Sequence, residues 1–230
     1  AMGHFYYNQG KYPEAAEQYE AVLKIDERNE AGLYGLGAAL TLAGDFEGAA
    51  PVFARAIDVR PDPNAYNNLG LMHYYLGQHD AAVDAVRSGI ELMPSDHLSW
   101  TSLGDVLTAA GRPDDANSAY TRANELVQIG LGVNPKDPGL LMDASWIQAM
   151  LGNEEKARQD IRRARELAPD DPYTSYYECL ILTRFGDTEA ALDALERAVA
   201  NGYSVTILRA EPLLAPLHDN PRFVALTNVN

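Results

Sequence analysis

Five histidines (His4, His73, His79, His97 and His218) and one cysteine, Cys179, are the residues of this chain whose types suit zinc binding or covalent catalysis. Zinc chemistry needs them at set spacings, such as two histidines one helical turn apart around a glutamate, or cysteines in close pairs. Neither spacing occurs. His73 stands where packed aromatics are usual and is expected to be a satisfied core histidine. Cys179 stands at a close-contact position and is expected to be a buried, inert thiol. Gly35-Leu36-Gly37 lies inside a helical pattern rather than after a strand, so it is no phosphate loop. The string Asp26-Glu27-Arg28-Asn29-Glu30 lacks the alternating ligands and central glycine of a calcium loop. Carboxylates are plentiful, and nothing singles out an acid/base couple. The expectation is no catalytic residue, no metal, no cofactor and no enzyme activity.

Cations are unevenly placed. Lys156, Arg158, Arg162, Arg163 and Arg165 hold five of the 18 basic residues within ten positions. Arg162 and Glu166 are four apart, so part of the cluster is expected to pair locally on its helix. The cluster is either a solvated face or a docking patch for an acidic segment. The chain as a whole carries a formal charge of −15. That speaks against nucleic acid, whose binding needs clustered cations to release counterions, and against an anionic membrane surface. Protein or peptide partners of neutral or basic character fit better. No run of about 20 apolar residues is present to span a bilayer. The chain start has no basic region followed by an apolar stretch, so no leader is expected. A single cysteine leaves no internal disulfide and fits a reducing, cytoplasmic location.

The elements that would position any binding residues are set by a repeat. Gly10, Gly44, Gly77, Gly111, Gly152 and Gly186 are separated by 34, 33, 34, 41 and 34 residues, and an alanine follows each by five. A fixed period in this range marks a repeat array. Seven residues before each glycine the side chain is small: Gly3, Gly37, Gly70, Gly104, Ser145 and Cys179. Nine residues after it the side chain is large: Tyr19, Phe53, Val86, Tyr120, Ile161 and Leu195. Each unit therefore reads as two helices. The landmark glycine ends the first in a left-handed conformation. Small residues let the pair approach, and large ones at helical spacing fill the seam. Helices are expected at 2–9, 13–26, 30–43, 47–60, 63–76, 80–93, 97–110, 114–133, 138–151, 155–168, 172–185 and 188–201. Repeat 1 lacks its first positions, which suggests a segment of a longer protein. The long gap adds seven residues near Leu126–Val133, two turns that barely rotate the apolar face. They are either a tolerated extension or a projecting docking ridge, and Gly130 and Gly132 are expected to kink its end.

These slots, and stretches such as Tyr66-Asn67-Asn68-Leu69-Gly70, Leu76-Gly77, Ala82 and Pro94, resemble the tetratricopeptide repeat family across residues 1–201. The resemblance implies an all-α, right-handed α-solenoid of about six helix pairs. The repeats fall at about 1–29, 30–62, 63–96, 97–137, 138–171 and 172–203. Residues 204–230 leave the pattern. Pro212, Pro216 and Pro221 forbid one long helix there. Short helices carrying Leu208, Leu214, Leu217, Phe223 and Leu226 are expected to cap the last repeat.

In this family the first helices line a concave groove, so the resemblance nominates a set of partner-binding positions. In the first half these are Tyr34, Asn64, Asn67, Leu71, Tyr74, Tyr75, Thr101 and Asp105. In the second half they are Met142, Trp146, Tyr173, Tyr176 and Arg184. The implied function is a protein-interaction scaffold holding a peptide or protein segment. The chaperone-binding branch grips a C-terminal carboxylate. Here Asn68 matches one of its slots, but Gly35, Leu98 and Ser102 stand at others, so no such clamp is expected. The tail and the long helix ending at Val133-Asn134-Pro135 also look like the C-terminal repeat regions of multidomain bacterial signalling proteins. That likeness implies the alternative of a regulatory region acting on an attached kinase, cyclase or DNA-binding domain.

Overall fold

An aspartate followed by a proline opens three of the first helices, and the pairing explains why they start where they do. Proline fixes the backbone for the first helical position, and the preceding carboxylate accepts a free amide of the first turn. Asp62 accepts from the Asn64 N–H at 2.9 Å, Asp137 from Leu140 at 3.1 Å and Asp171 from Thr174 at 2.7 Å. The computed structural model describes residues 2–228. Its helix pairs are α1 (Met2–Asn8) with α2 (Tyr12–Ile25), α3 (Glu30–Ala43) with α4 (Phe46–Val59), and α5 (Pro63–Tyr75) with α6 (His79–Leu92). Then come α7 (His97–Ala109), α8 (Pro113–Val133), α9 (Pro138–Met150) with α10 (Glu154–Leu167), and α11 (Pro172–Arg184) with α12 (Thr188–Ala200). Every expected boundary lies within one residue of the observed one, and no strand occurs among the described residues. All six landmark glycines have positive φ, from 69° at Gly77 to 84° at Gly44. This is the left-handed turn that side-chain-bearing residues adopt only at a cost.

The chain divides into two compact units, residues 1–116 and 117–230, with the boundary inside α8. In the first unit, Leu33, Leu36, Val52, Ala56 and Ala65 form one buried cluster, and Ala49, Phe53 and Met72 form another. Fully burying a leucine or phenylalanine of this kind contributes about 1.5–3 kcal/mol. Close approach within a pair depends on the small slot. A Cβ added at Gly37 would sit 2.6 Å from the Phe53 ring, and one at Gly70 would sit 2.5 Å from Val86.

In the second unit, α9 is buried without a break from Ala144 to Met150. An amphipathic helix buries one stripe; a helix buried all round is an interior one. The tail folds as α13 (Val205–Ala210), a 3-10 helix (Pro212–Leu217) and α14 (Pro221–Thr227). The 3-10 helix packs on α11, and α14 packs on α12 and α13. Leu208, Leu214, Leu217 and Phe223 are buried as expected, whereas Leu226 is only half-buried; Ile207 and Thr227 are also covered. Arg222 ties α14 to α12 by reaching Asp193 at 2.8 Å, Glu189 at 3.1 Å and Glu196 at 3.3 Å.

Two local expectations need correction. His73 is half-buried rather than a core residue, with Nδ1 2.7 Å from Gln78 Oε1. Arg162 makes no ion pair with Glu166; on a helix surface two long flexible side chains hold such a pair only weakly. Helix α8 runs continuously to Val133, and Leu140 lies against Gly130 where a side chain would collide.

Candidate functional site

The nominated groove positions come from the inner helices, and the two units treat them differently. In the first unit, Asn64 is exposed and Leu71 is 39% exposed on the same helix, α5. Tyr75 stacks on Phe46 with ring centroids 4.5 Å apart, and Tyr74 meets Tyr75 edge-on at 5.4 Å. Asp105 is half-buried. Thr101 is buried, and its hydroxyl donates back to the His97 carbonyl at 2.8 Å. That side chain faces the interior and is not an open groove residue.

In the second unit, Trp146 is only 3% exposed and meets Tyr177 edge-on at 6.0 Å. Tyr176 is also buried. It stacks on Tyr203 with centroids 4.3 Å apart, and its hydroxyl donates to Glu211 Oε2 at 2.9 Å. Both are packing residues, because the capping segment and the neighbouring aromatic occupy the space a partner would need. Tyr173 remains 52% exposed, and Arg184 is exposed while its Nε donates to the Ala149 carbonyl at 2.9 Å. Met142 is half-buried.

On α3, α5, α9 and α11, though not at Thr101 of α7, the fifth position of the first helix has a use that repeat reading alone overlooked. Tyr34 donates to Asp62 at 3.1 Å, and Asn67 donates to Ser99 Oγ at 2.9 Å. Met142 Sδ lies 4.0 Å from Thr174 Oγ1, and Tyr176 reaches Glu211. Each time the partner is a polar residue at the cap or in the first turn of the next first helix or of the 3-10 helix of the tail. The position is a fastener between neighbours, and the sequence signal was the Asp, Ser, Thr or Glu lying 28 to 35 residues further on. Burial, then the Asp62 carboxylate, pushes the Tyr34 phenol up to about 12. One atom at this position is left over. Asn67 Oδ1 is buried and has no hydrogen-bond partner in the protein, although the amide nitrogen beside it is held by Ser99.

No group of three or more metal-capable side chains occurs among the described residues. Cys179 is buried as expected, and that burial pushes its thiol up to about 12, far from a reactive thiolate. The cationic stretch on α10 is largely paired. Lys156 meets Asp160 at 2.8 Å, Arg158 meets Glu154 at 2.8 Å, and Arg165 meets Glu178 at 2.8 Å. Among the described residues no helix is long and apolar enough to cross a membrane.

Paired helices, a left-handed glycine after each first helix and a small residue under each large one define a repeat-array protein of the helix-pair class. The tetratricopeptide repeat family model matches residues 1–66, 43–97, 67–123 and 101–172, and the chain belongs to that family. The chain is similar to the TPR repeat-containing protein YpiA of Bacillus subtilis, 26% identical over 74% of this chain and 39% of that protein. It is also similar to the peroxisomal targeting signal receptor of Candida glabrata, 34% identical over 59% of this chain and 24% of the receptor. The chain thus spans well under two thirds of the length of these curated relatives. Among solved structures it is similar to TTC0263, a thermophilic TPR protein of Thermus thermophilus, with a TM-score of 0.58 and 21% identity over 80% of this chain and 98% of that one. MamA matches with a TM-score of 0.52 and 22% identity over 74% of this chain and 95% of that one. These two likenesses concern the fold. Proteins of this family act in general as protein-interaction scaffolds.

Proposed function

We propose that this protein captures an extended segment of a protein partner, neutral or basic in character, on the inner-helix surface of its first unit. The observation that carries the reading is Asn67. Its amide nitrogen is anchored to Ser99, so its orientation is set, and its buried Oδ1 has no partner in the protein. Leaving such an acceptor unpaired costs about 1–3 kcal/mol, which a backbone N–H from a bound segment would recover. Exposed Asn64 and Leu71 and half-buried Tyr74 lie on the same helix and supply polar and apolar contact. Seven basic against 17 acidic residues up to Ala116 favour a segment without excess negative charge. A relative whose name describes a receptor for a targeting signal supports capture of a short segment.

Random peptides displayed on phage and selected against the full chain test this. Neutral or basic sequences are expected to be enriched, and Asn67→Ala is expected to weaken them about fivefold or more, with helix content unchanged. Selection of acidic sequences, or indifference to Asn67→Ala, would refute the assignment. A second reading keeps the surface but places the segment in the same polypeptide, as in a cytoplasmic bacterial signalling protein with a kinase, cyclase or DNA-binding domain. What favours it is that the curated relatives extend well beyond the matched region.

A further inference from the structure

The second unit carries a cleft of a different chemistry, built by α10, α11 and α12 rather than by the inner-helix positions. Arg158, Arg162, Arg165 and Arg197 line it, together with Glu178 and Asp193. Four guanidiniums against two carboxylates leave a positive surplus in a chain whose overall charge is −15. Both acids are already engaged, so neither is free to take up Arg162. Glu178 is buried and already holds two partners, Arg165 at 2.8 Å and Arg197 at 2.8 Å. Asp193 is held by Arg222, 2.8 Å away. Arg158 is engaged by Glu154 at 2.8 Å and Asp187 at 3.2 Å. Arg162 is exposed and makes no ion pair among the described residues. Arg197 Nε is buried with no hydrogen-bond partner, although the Nη2 of the same guanidinium is satisfied by Glu178. One free guanidinium and one unpaired buried donor thus border the same cleft, whose lining also includes aliphatic Ile161 and Leu182.

We infer that this cleft is a second docking site, and that its occupant is an acidic polypeptide segment in which aspartate or glutamate alternates with aliphatic residues. Guanidinium presents a planar fork of donors that matches a carboxylate, and the apolar wall takes the flanking side chain. The surplus suits singly charged carboxylates. A compact dianion such as phosphate would be set against the Glu178 carboxylate on the cleft wall. The net negative charge of the chain does not forbid an acidic partner at physiological ionic strength. Screening acts over about 8 Å, so the groups touching the ligand decide.

The test uses the full chain and a short fluorescent peptide repeating Glu-Leu-Asp-Leu, followed by polarisation. Its amide counterpart, repeating Gln-Leu-Asn-Leu, and inorganic phosphate are the comparison probes. The acidic peptide is expected to bind, to lose affinity tenfold or more with Arg162→Glu, and to lose less with Arg162→Lys. Arg122→Glu, on α8 outside the cleft, is expected to leave binding unchanged. Circular dichroism of each variant guards against misfolding, which the exposure of Arg162 makes easy to avoid. Equal binding of the amide peptide, no loss with Arg162→Glu, or an equal loss with Arg122→Glu would overturn the assignment. So would phosphate binding more tightly than the peptide.

Discussion

Helices α5 and α9 are both first helices of a repeat, yet they offer opposite surfaces. Position nine is Leu71 on α5, 39% exposed, and Trp146 on α9, 3% exposed. The two helices differ again toward their last turns. Tyr74 and Tyr75 at the end of α5 are half-buried, whereas Ala149 and Met150 at the end of α9 are buried. Helical periodicity directs the same positions to the same face in every repeat. What that face meets depends on side-chain size and on the next element. The large indole reaches Tyr177, and Tyr176 packs against Tyr203, at the end of the last repeat, and Glu211 of the capping segment. Charge divides in the same way. The first unit holds seven basic and 17 acidic residues, the second 11 and 16, and four of the 11 line one cleft. Two units built on one repeat thus differ in how open and how charged their surfaces are.

The sharpest way to break this contrast is to truncate the paired positions. Trp146→Ala is expected to destabilise the second unit by about 3–5 kcal/mol through the cavity it leaves. Leu71→Ala should change stability by no more than about 0.5 kcal/mol. Chemical denaturation of the two variants measures both, and equal losses would erase the distinction. Next in size is the cap. Leu214→Ala should cost roughly 2–5 kcal/mol and raise amide exchange in α11 and α12 while leaving α3 to α6 protected, since repeats lean chiefly on neighbours. Exchange rising equally in α3 to α6 would show that the loss does not stay local. Landmark glycines supply the internal control. Gly44→Ala and Gly152→Ala, at φ 84° and 82°, should each cost about 1–2 kcal/mol, because this feature is the same in both units.

The smallest effect is alkaline. Burial and then Asp62 raise the Tyr34 phenol from its ordinary value near 10 to about 12. The folded state favours the neutral form. Its stabilisation is therefore complete below pH 10 and is lost as pH rises from 10 through 12. Partial exposure to solvent limits this to about 1 kcal/mol or less. Tyr203 is also raised, chiefly by burial, so the second unit shares the sensitivity. Tyr34→Phe should remove only the first unit's portion, read as exchange of α3 and α5 against pH. An unchanged profile would show that the Asp62 contact is weak.

The helix register was legible because its causes are local. Gly44 needs a left-handed turn whatever surrounds it, Asp62-Pro63 starts a helix from its own chemistry, and Gly37 must be small because Phe53 packs on it from the other helix of the same hairpin. Arg162 and Glu166, at ideal spacing for a pair, show where local spacing stops being informative on a solvated surface. The nominated site was legible only as a set of directions. Nothing in the neighbourhood of Trp146 or Tyr176 announces that each is covered, since Tyr177 and Glu211 reach them through packing across elements.

By itself the sequence determined the repeat, the helix pairs, their ends and the tail's short helices, all consequences of backbone preference and apolar periodicity within one or two turns. Tertiary structure alone decided which first-helix side chains stay open and that position five of α3, α5, α9 and α11 fastens them to the next first helix or to the tail's 3-10 helix. It also decided that Arg197, remote in sequence from the α10 cluster, shares a cleft with Arg162. Those outcomes depend on distances between helices separated by 20 or more residues, and no local preference encodes such distances.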